Sequence, residues 1–300
     1  MIHVPLITPF GTDGLVAVDA LERLAHEMLD EGAAGLVALG TTAEVAALDE
    51  DEKALVGAVV GRVCRERGAR FTLGVGAGDT RRAAAELAAL AALPVVPDAA
   101  LVTVPSFTRP GEAGVAAHFA ALAEHSPVPL FVYHIPYRTG QALSARALRE
   151  LAAIPGVAGF KYAVGGIDSD TVDLLGGELP PGFEVLAGDD LFAPALLALG
   201  AAGGILAAAH LATAHWVELA ATGDPALGHR LASLAAALFR EPNPVVTKAV
   251  LHAQSRIPTP TVRLPLLPAH PESVEAALTA FAALPALPGR AAAQPPRLVT

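Results

Sequence analysis

Lys161 closes an apolar run, Val157-Ala158-Gly159-Phe160, with no acidic residue beside it. The chain has only three lysines, Lys53, Lys161 and Lys248. Lys53 falls in a charged helix start and reads as solvated surface. A lysine at the end of an apolar strand is either a snorkelling side chain or an amine nucleophile. Desolvation brings a lysine pKa from about 10.4 towards about 7–8, which frees the amine to attack a carbonyl. Tyr133 ends a second apolar run, Leu130-Phe131-Val132. Alone it reads as a core aromatic with a hydrogen-bonded hydroxyl; beside the lysine it reads as a proton shuttle. Thr41 and Thr42 follow Gly40 and suit either a turn or an oxyanion contact. Arg138 carries a planar fork that fits a substrate carboxylate or, equally, a surface ion pair.

Other motifs carry less. Gly74-Val75-Gly76-Ala77-Gly78 lacks the G-x-G-x-x-G spacing of a dinucleotide site and reads as a loop. His118 and His125 lie seven apart on one helix face and read as structural. The ten histidines form no H-E-x-x-H, so a metal-dependent aldolase is disfavoured. No G-x-S-x-G occurs, which argues against a serine hydrolase.

These residues need a scaffold, and composition bounds it. The chain has 300 residues, a net charge of −10, 53% apolar and 17% charged residues, and one cysteine, Cys64. That excludes a disordered chain or a disulfide framework and argues against a nucleic-acid partner. The stretch from Leu191 to Ala209 has the length of a membrane span, but Pro194, Gly200, Gly203 and Gly204 divide it. It reads as a helix, a turn and a strand. No export signal is evident at Met1-Ile2-His3-Val4-Pro5, so a cytoplasmic protein without a membrane partner is expected.

Short apolar runs alternate with helix-like stretches. Strands are expected at 2–8, 36–39, 70–73, 100–103, 130–133, 157–161, 184–186 and 204–207. Helices are expected at 19–31, capped by Asp19, and at 49–67, opened by a capping box at Asp49-Glu50-Asp51-Glu52. Others follow at 80–92, 114–124, 144–153, 169–175, 191–199 and 212–222. Eight strand–helix units without polar alternation predict an α/β protein, a (β/α)8 TIM barrel, over 1–223. A doubly wound sheet is the second choice. Helices at 225–239, 245–254 and 271–284 predict a C-terminal helical appendage over 224–284. Pro285, Pro288, Pro295 and Pro296 mark 285–300 as a tail.

Taken together, the motifs resemble the dihydrodipicolinate synthase and N-acetylneuraminate lyase family, over roughly Leu6 to Pro268. Gly40-Thr41-Thr42-Ala43-Glu44 resembles G-T-T-G-E, and Tyr133-His134-Ile135-Pro136-Tyr137-Arg138-Thr139-Gly140 resembles Y-N-x-P-x-R-T-G. Gly159-Phe160-Lys161 resembles the Schiff-base G-x-K, and Gly188-Asp189-Asp190 the G-D-D after strand seven. Glu241-Pro242-Asn243-Pro244 with Lys248, and Arg263-Leu264-Pro265, are similar to appendage motifs of the synthase branch. The resemblance implies that Lys161 forms a Schiff base with pyruvate, that Tyr133 and Thr41 relay protons, and that Thr42 binds the pyruvate carboxylate. Arg138 would hold the carboxylate of L-aspartate 4-semialdehyde, and Gly188 and Ile205 would line the substrate pocket.

The implied enzyme is a carbon–oxygen lyase of lysine biosynthesis that needs no metal or organic cofactor, a homodimer or homotetramer. The sequence departs from the family pattern at Phe107, where the relay has a second tyrosine, and at Ala43, Val45, His134 and Tyr162. Gly78 stands where feedback-inhibited members have a lysine-binding asparagine. Two alternatives follow: a related 2-oxo-acid aldolase, lyase or dehydratase with another acceptor, and a non-catalytic binding or regulatory paralogue.

Overall fold

A computed structural model describes residues 1–76 and 78–287. Eight parallel strands close into a barrel, each hydrogen-bonded to the next and β8 returning to β1. They are β1 (Ile2–Pro5), β2 (Gly35–Ala38), β3 (Arg70–Val75), β4 (Ala99–Thr103), β5 (Leu130–His134), β6 (Val157–Tyr162), β7 (Glu184–Ala187) and β8 (Gly203–Ile205). The helices around them are α1 (Val18–Asp30), α2 (Glu50–Arg67), α3 (Thr80–Ala89), α4 (Gly111–His125), α5 (Pro136–Thr139) and α6 (Ala145–Ala152). α7 (Ser169–Gly176), α8 (Ala193–Ala198) and α9 (Ala209–Thr222) complete the ring. Three further helices, α10 (Pro225–Leu238), α11 (Val245–Ala253) and α12 (Pro271–Ala282), follow, with α10 packed on α8 and α11 on α9.

The strands are apolar on both faces because both faces are covered. Alternate residues point inward and outward. Val37, Leu101, Phe131, Tyr133, Leu186 and Ile205 form a cluster inside the barrel. Leu36, Val102, Val132, Phe160 and Tyr162 belong to the larger layer between strands and helices. That division decides which residues can meet at the mouth of the barrel.

Local signals mostly hold, with three corrections. Asp49 caps α2 through the expected capping box with Glu52, and Ser144 caps α6. Asp19 is not a cap: Ala17 holds that position and Asp19 lies in the first turn of α1. The first strand stops at Pro5, although the Leu6 N–H still donates to the Val37 carbonyl at 3.0 Å. The last barrel helix begins at Ala209, with a kink at Ala212 (φ −143°, ψ 41°) that no proline or glycine in the helix announces. The Leu191–Ala209 stretch divides into α8, β8 and the start of α9. Among the described residues no helix is long and apolar enough to cross a membrane. Of the expected tail, 288–300 lies outside the described residues.

Candidate active site

Inward-facing residues at the C-terminal ends of the strands converge on a cavity of about 20 Å3. Lys161 on β6 and Tyr133 on β5 are register partners, and Lys161 Nζ lies 4.3 Å from the Tyr133 ring centroid. Lys161 is only 6% exposed, so it does not snorkel. Burial pushes its amine below the ordinary lysine range; Arg138 acts in the same direction, and Asp190 and Asp189 oppose. Burial also raises the Tyr133 phenol, which keeps it protonated.

Two glycines shape this centre. A Cβ on Gly188 would lie 2.6 Å from Lys161 Cγ and 3.1 Å from Cε, so only glycine leaves room for the lysine stem. The Gly188 N–H donates to the Tyr162 carbonyl at 2.8 Å and ties β7 to β6. Gly140 ends the short turn α5 at φ +72°, a left-handed conformation glycine adopts without strain. There its N–H donates to the Pro136 carbonyl, 2.8 Å away. That turn presents Arg138 at the cavity edge, exposed and without an ion pair among the described residues. Ile205 of β8 supplies a buried apolar wall.

Beyond β2 the chain makes a tight turn, Thr41–Ala43. Thr42 is buried, and its Oγ1 accepts a hydrogen bond from Asn243 Nδ2 at 2.8 Å. Thr41 also lines the cavity but is exposed, and no hydrogen bond joins it to Tyr133 among the described residues. The structure therefore brings together Lys161, Tyr133, Thr41, Thr42, Arg138, Gly188 and Ile205, while the Thr41–Tyr133 relay contact is not formed.

Two residues that the sequence reading named only as members of motifs take on a role here. Asp190, given there only within the Gly188-Asp189-Asp190 motif, is buried next to Lys161, and α8 begins only at Ala193. The Ala208 N–H donates to its carboxylate at 2.6 Å. Burial raises the Asp190 carboxyl, and Lys161 favours its ionised form. The available signal was its place just after β7.

Glu44 is the second. It adopts φ +55°, costly for a residue with a Cβ. Its Oε1 accepts from Lys248 Nζ at 2.7 Å and its Oε2 from the Arg263 N–H at 2.8 Å. Lys248 Nζ also lies 4.1 Å from the Phe10 ring centroid. This buried pair anchors the threonine turn to the C-terminal helices.

The sequence departures lie mostly away from this centre. Tyr162 faces the helical layer, where its hydroxyl meets Thr171 Oγ1 at 3.0 Å, and His134 lies beside it with ring centroids 5.9 Å apart. Val45 lines a separate cavity of about 520 Å3 between α2 and α3. Phe107 is 98% exposed at φ +71°, in the loop after β4.

The sequence pattern of the Dihydrodipicolinate synthetase family matches residues 1–283. The chain belongs to this family. A 4-hydroxy-tetrahydrodipicolinate synthase from Synechococcus elongatus is 34% identical over 278 residues, 90% of this chain and 90% of that protein. One from Neisseria meningitidis is 35% identical over 273 residues, 88% of this chain and 91% of its own. Among solved structures, the chloride-inhibited dihydrodipicolinate synthase of Acinetobacter baumannii complexed with pyruvate superposes with a TM-score of 0.85. It is 33% identical and the match covers 93% of this chain and 97% of that one. A monomeric dihydrodipicolinate synthase variant superposes at 0.87 with 26% identity, over 93% and 95% of the two chains.

Proposed function

We propose that the chain is a 4-hydroxy-tetrahydrodipicolinate synthase that condenses pyruvate with L-aspartate 4-semialdehyde through a Schiff base on Lys161. The observation that carries this reading is the buried Lys161 amine 4.3 Å from the Tyr133 ring centroid, in a cavity shared with Thr42 and Arg138. Desolvation favours the neutral amine, the form that attacks the C2 carbonyl of pyruvate. Addition gives a carbinolamine, and loss of water gives the imine. The protonated Tyr133 phenol supplies the proton that the leaving water needs. Thr42 donates to the pyruvate carboxylate. Loss of a methyl proton from the imine gives an enamine, whose carbon attacks the acceptor aldehyde. Arg138, unpaired at the edge of the cavity, holds the acceptor's carboxylate. Attack of the acceptor's amine on C2 closes the ring and releases Lys161. Each step uses side chains alone.

A coupled assay with pyruvate and aspartate semialdehyde tests the whole reaction; turnover no greater than that of Lys161→Ala rejects it. Borohydride trapping with pyruvate tests the first half, with a reduced pyruvyl adduct expected on Lys161.

Phe107 favours a second reading, a 2-oxo-acid aldolase or lyase with a different acceptor. Phe107 is an exposed aromatic ring without a hydroxyl, in the loop after β4, where the family relay has a second tyrosine. A panel of aldehydes offered to the pyruvate-loaded enzyme separates the two. We also infer a homodimer or homotetramer: burial of the Phe107 ring against a second copy would remove an apolar side chain from water. Light scattering at micromolar concentration tests this, and a monomer contradicts it.

A further inference from the structure

Asn243 belongs to the cavity wall, yet no chemistry has been given to it. It precedes α11 in the helical region and reaches the barrel across 201 residues of sequence, where Nδ2 donates to Thr42 Oγ1 at 2.8 Å. A hydroxyl has one hydrogen to give and can accept as well. Because Thr42 accepts from Asn243, its own hydrogen remains, and no protein group among the described residues takes it. Thr42 is buried on the cavity wall, so that hydrogen serves the cavity. Asn243 Oδ1 is itself buried and without a partner among the described residues. Buried amide oxygens are normally satisfied. Here the unsatisfied oxygen accompanies an amide that presents its N–H to Thr42.

We propose that Asn243 is a positioning residue that turns the Thr42 hydroxyl into a dedicated donor for the carboxylate of the bound 2-oxo acid. The proposal rests on the reading of this cavity as a 2-oxo-acid site. Asn243 need not touch the acid; it acts by denying Thr42 any alternative use of its hydrogen. With a carboxylate at position 243, Thr42 would donate outward, and a negative charge would stand behind the ligand's own. With alanine the hydroxyl would rotate freely and lose its preference.

Saturation of borohydride trapping by pyruvate reads the effect, because it reports binding and imine formation without the second substrate. Asn243→Asp, nearly isosteric, is expected to raise the half-saturating pyruvate concentration about tenfold or more, and Asn243→Ala by less. The trapped fraction at saturation should fall far less than the affinity. A double-mutant cycle with Thr42→Val supplies the decisive readout: in that background Asn243→Asp should have little further effect. An unchanged half-saturation in Asn243→Asp, or effects of the two substitutions that simply add, overturns the proposal. Failure of the unmodified protein to trap pyruvate at Lys161 would overturn the 2-oxo-acid reading itself, and this proposal with it. If Asn243→Ala unfolds, Asn243→Asp alone carries the comparison.

Discussion

Tyr133 and Lys161 stand opposite one another on adjacent strands, with the lysine nitrogen 4.3 Å from the centroid of the tyrosine ring. The aromatic face stabilises a positive charge on that nitrogen, whereas burial disfavours it and is the larger influence. The amine is thus kept reactive yet beside a surface that tolerates the iminium it becomes.

The charges around Lys161 make opposite predictions. Arg138 lowers the lysine pKa and Asp190 raises it. The rate of pyruvate trapping should rise with pH and level off at an apparent pKa below the ordinary lysine value of about 10.4. Arg138→Leu should move that pKa up, and Asp190→Asn should move it down, each by about one unit. Shifts in the same direction would contradict the arrangement.

Gly188→Ala tests the space beside the lysine. The new Cβ would sit 2.6 Å from Lys161 Cγ, so the stem must leave its present path. Trapping should slow by more than about tenfold for a displaced nucleophile. Circular dichroism should remain that of the parent, because the tightest contact is with the Lys161 side chain and the next, Ala163 Cβ at 3.1 Å, needs only a small shift.

The Glu44–Lys248 pair is buried, with side chains 2% and 0% exposed. Removing one partner leaves a charge unpaired in the interior. Glu44→Gln or Lys248→Met alone should lower stability by about 3–5 kcal/mol. The double substitution should recover part of that loss, measured as the urea midpoint at a fixed m-value. If each single change costs under about 1 kcal/mol, the pair is not the anchor described.

Four buried histidines set the response to acid, and burial lowers His118 as it does His3, His134 and His210. Burial lowers His3 to about 3, and His134 and His210 to about 4, against an ordinary value of 6.5. Burial keeps His210 neutral, and its Nε2 accepts from the Ile7 N–H at 3.1 Å, while the Ala207 carbonyl, 2.8 Å from Nδ1, acts the other way. Below about pH 6.5 the unfolded chain takes up protons at these sites and the folded chain does not. Stability should therefore fall as pH drops from 6.5 towards 4. Asp189 and Asp190, both raised by burial, act oppositely but are two groups against four. His210→Gln should flatten the urea-derived stability curve across that window.

Much of this molecule was legible in its sequence for definable reasons. Parallel strands covered on both faces appear as unbroken apolar runs, and the residues at their ends, Lys161 and Tyr133 among them, fall at the barrel mouth. The Asp49 capping box was legible because its partners lie three residues apart. Asp190 received no role because an acid just after a strand has the same local sequence whether it is exposed or buried beside a lysine. Glu44 was missed because its partner is 204 residues away. Tyr162 and Val45 lie next in sequence to site residues or near them, but their side chains point elsewhere, and only the strand register and turn geometry reveal it.

The threonine turn depends on residues from the far end of the chain: Asn243 for Thr42, Lys248 and Arg263 for Glu44. A chain emerging from a ribosome therefore makes every barrel strand before it makes the residues that complete the pocket. Domains fold as units during synthesis, yet a nascent barrel halted before residue 243 would hold its nucleophile without the fixed hydroxyl beside it. Catalytic competence should arrive late and abruptly, with the last quarter of translation, and a premature stop codon in that quarter should leave an inactive product.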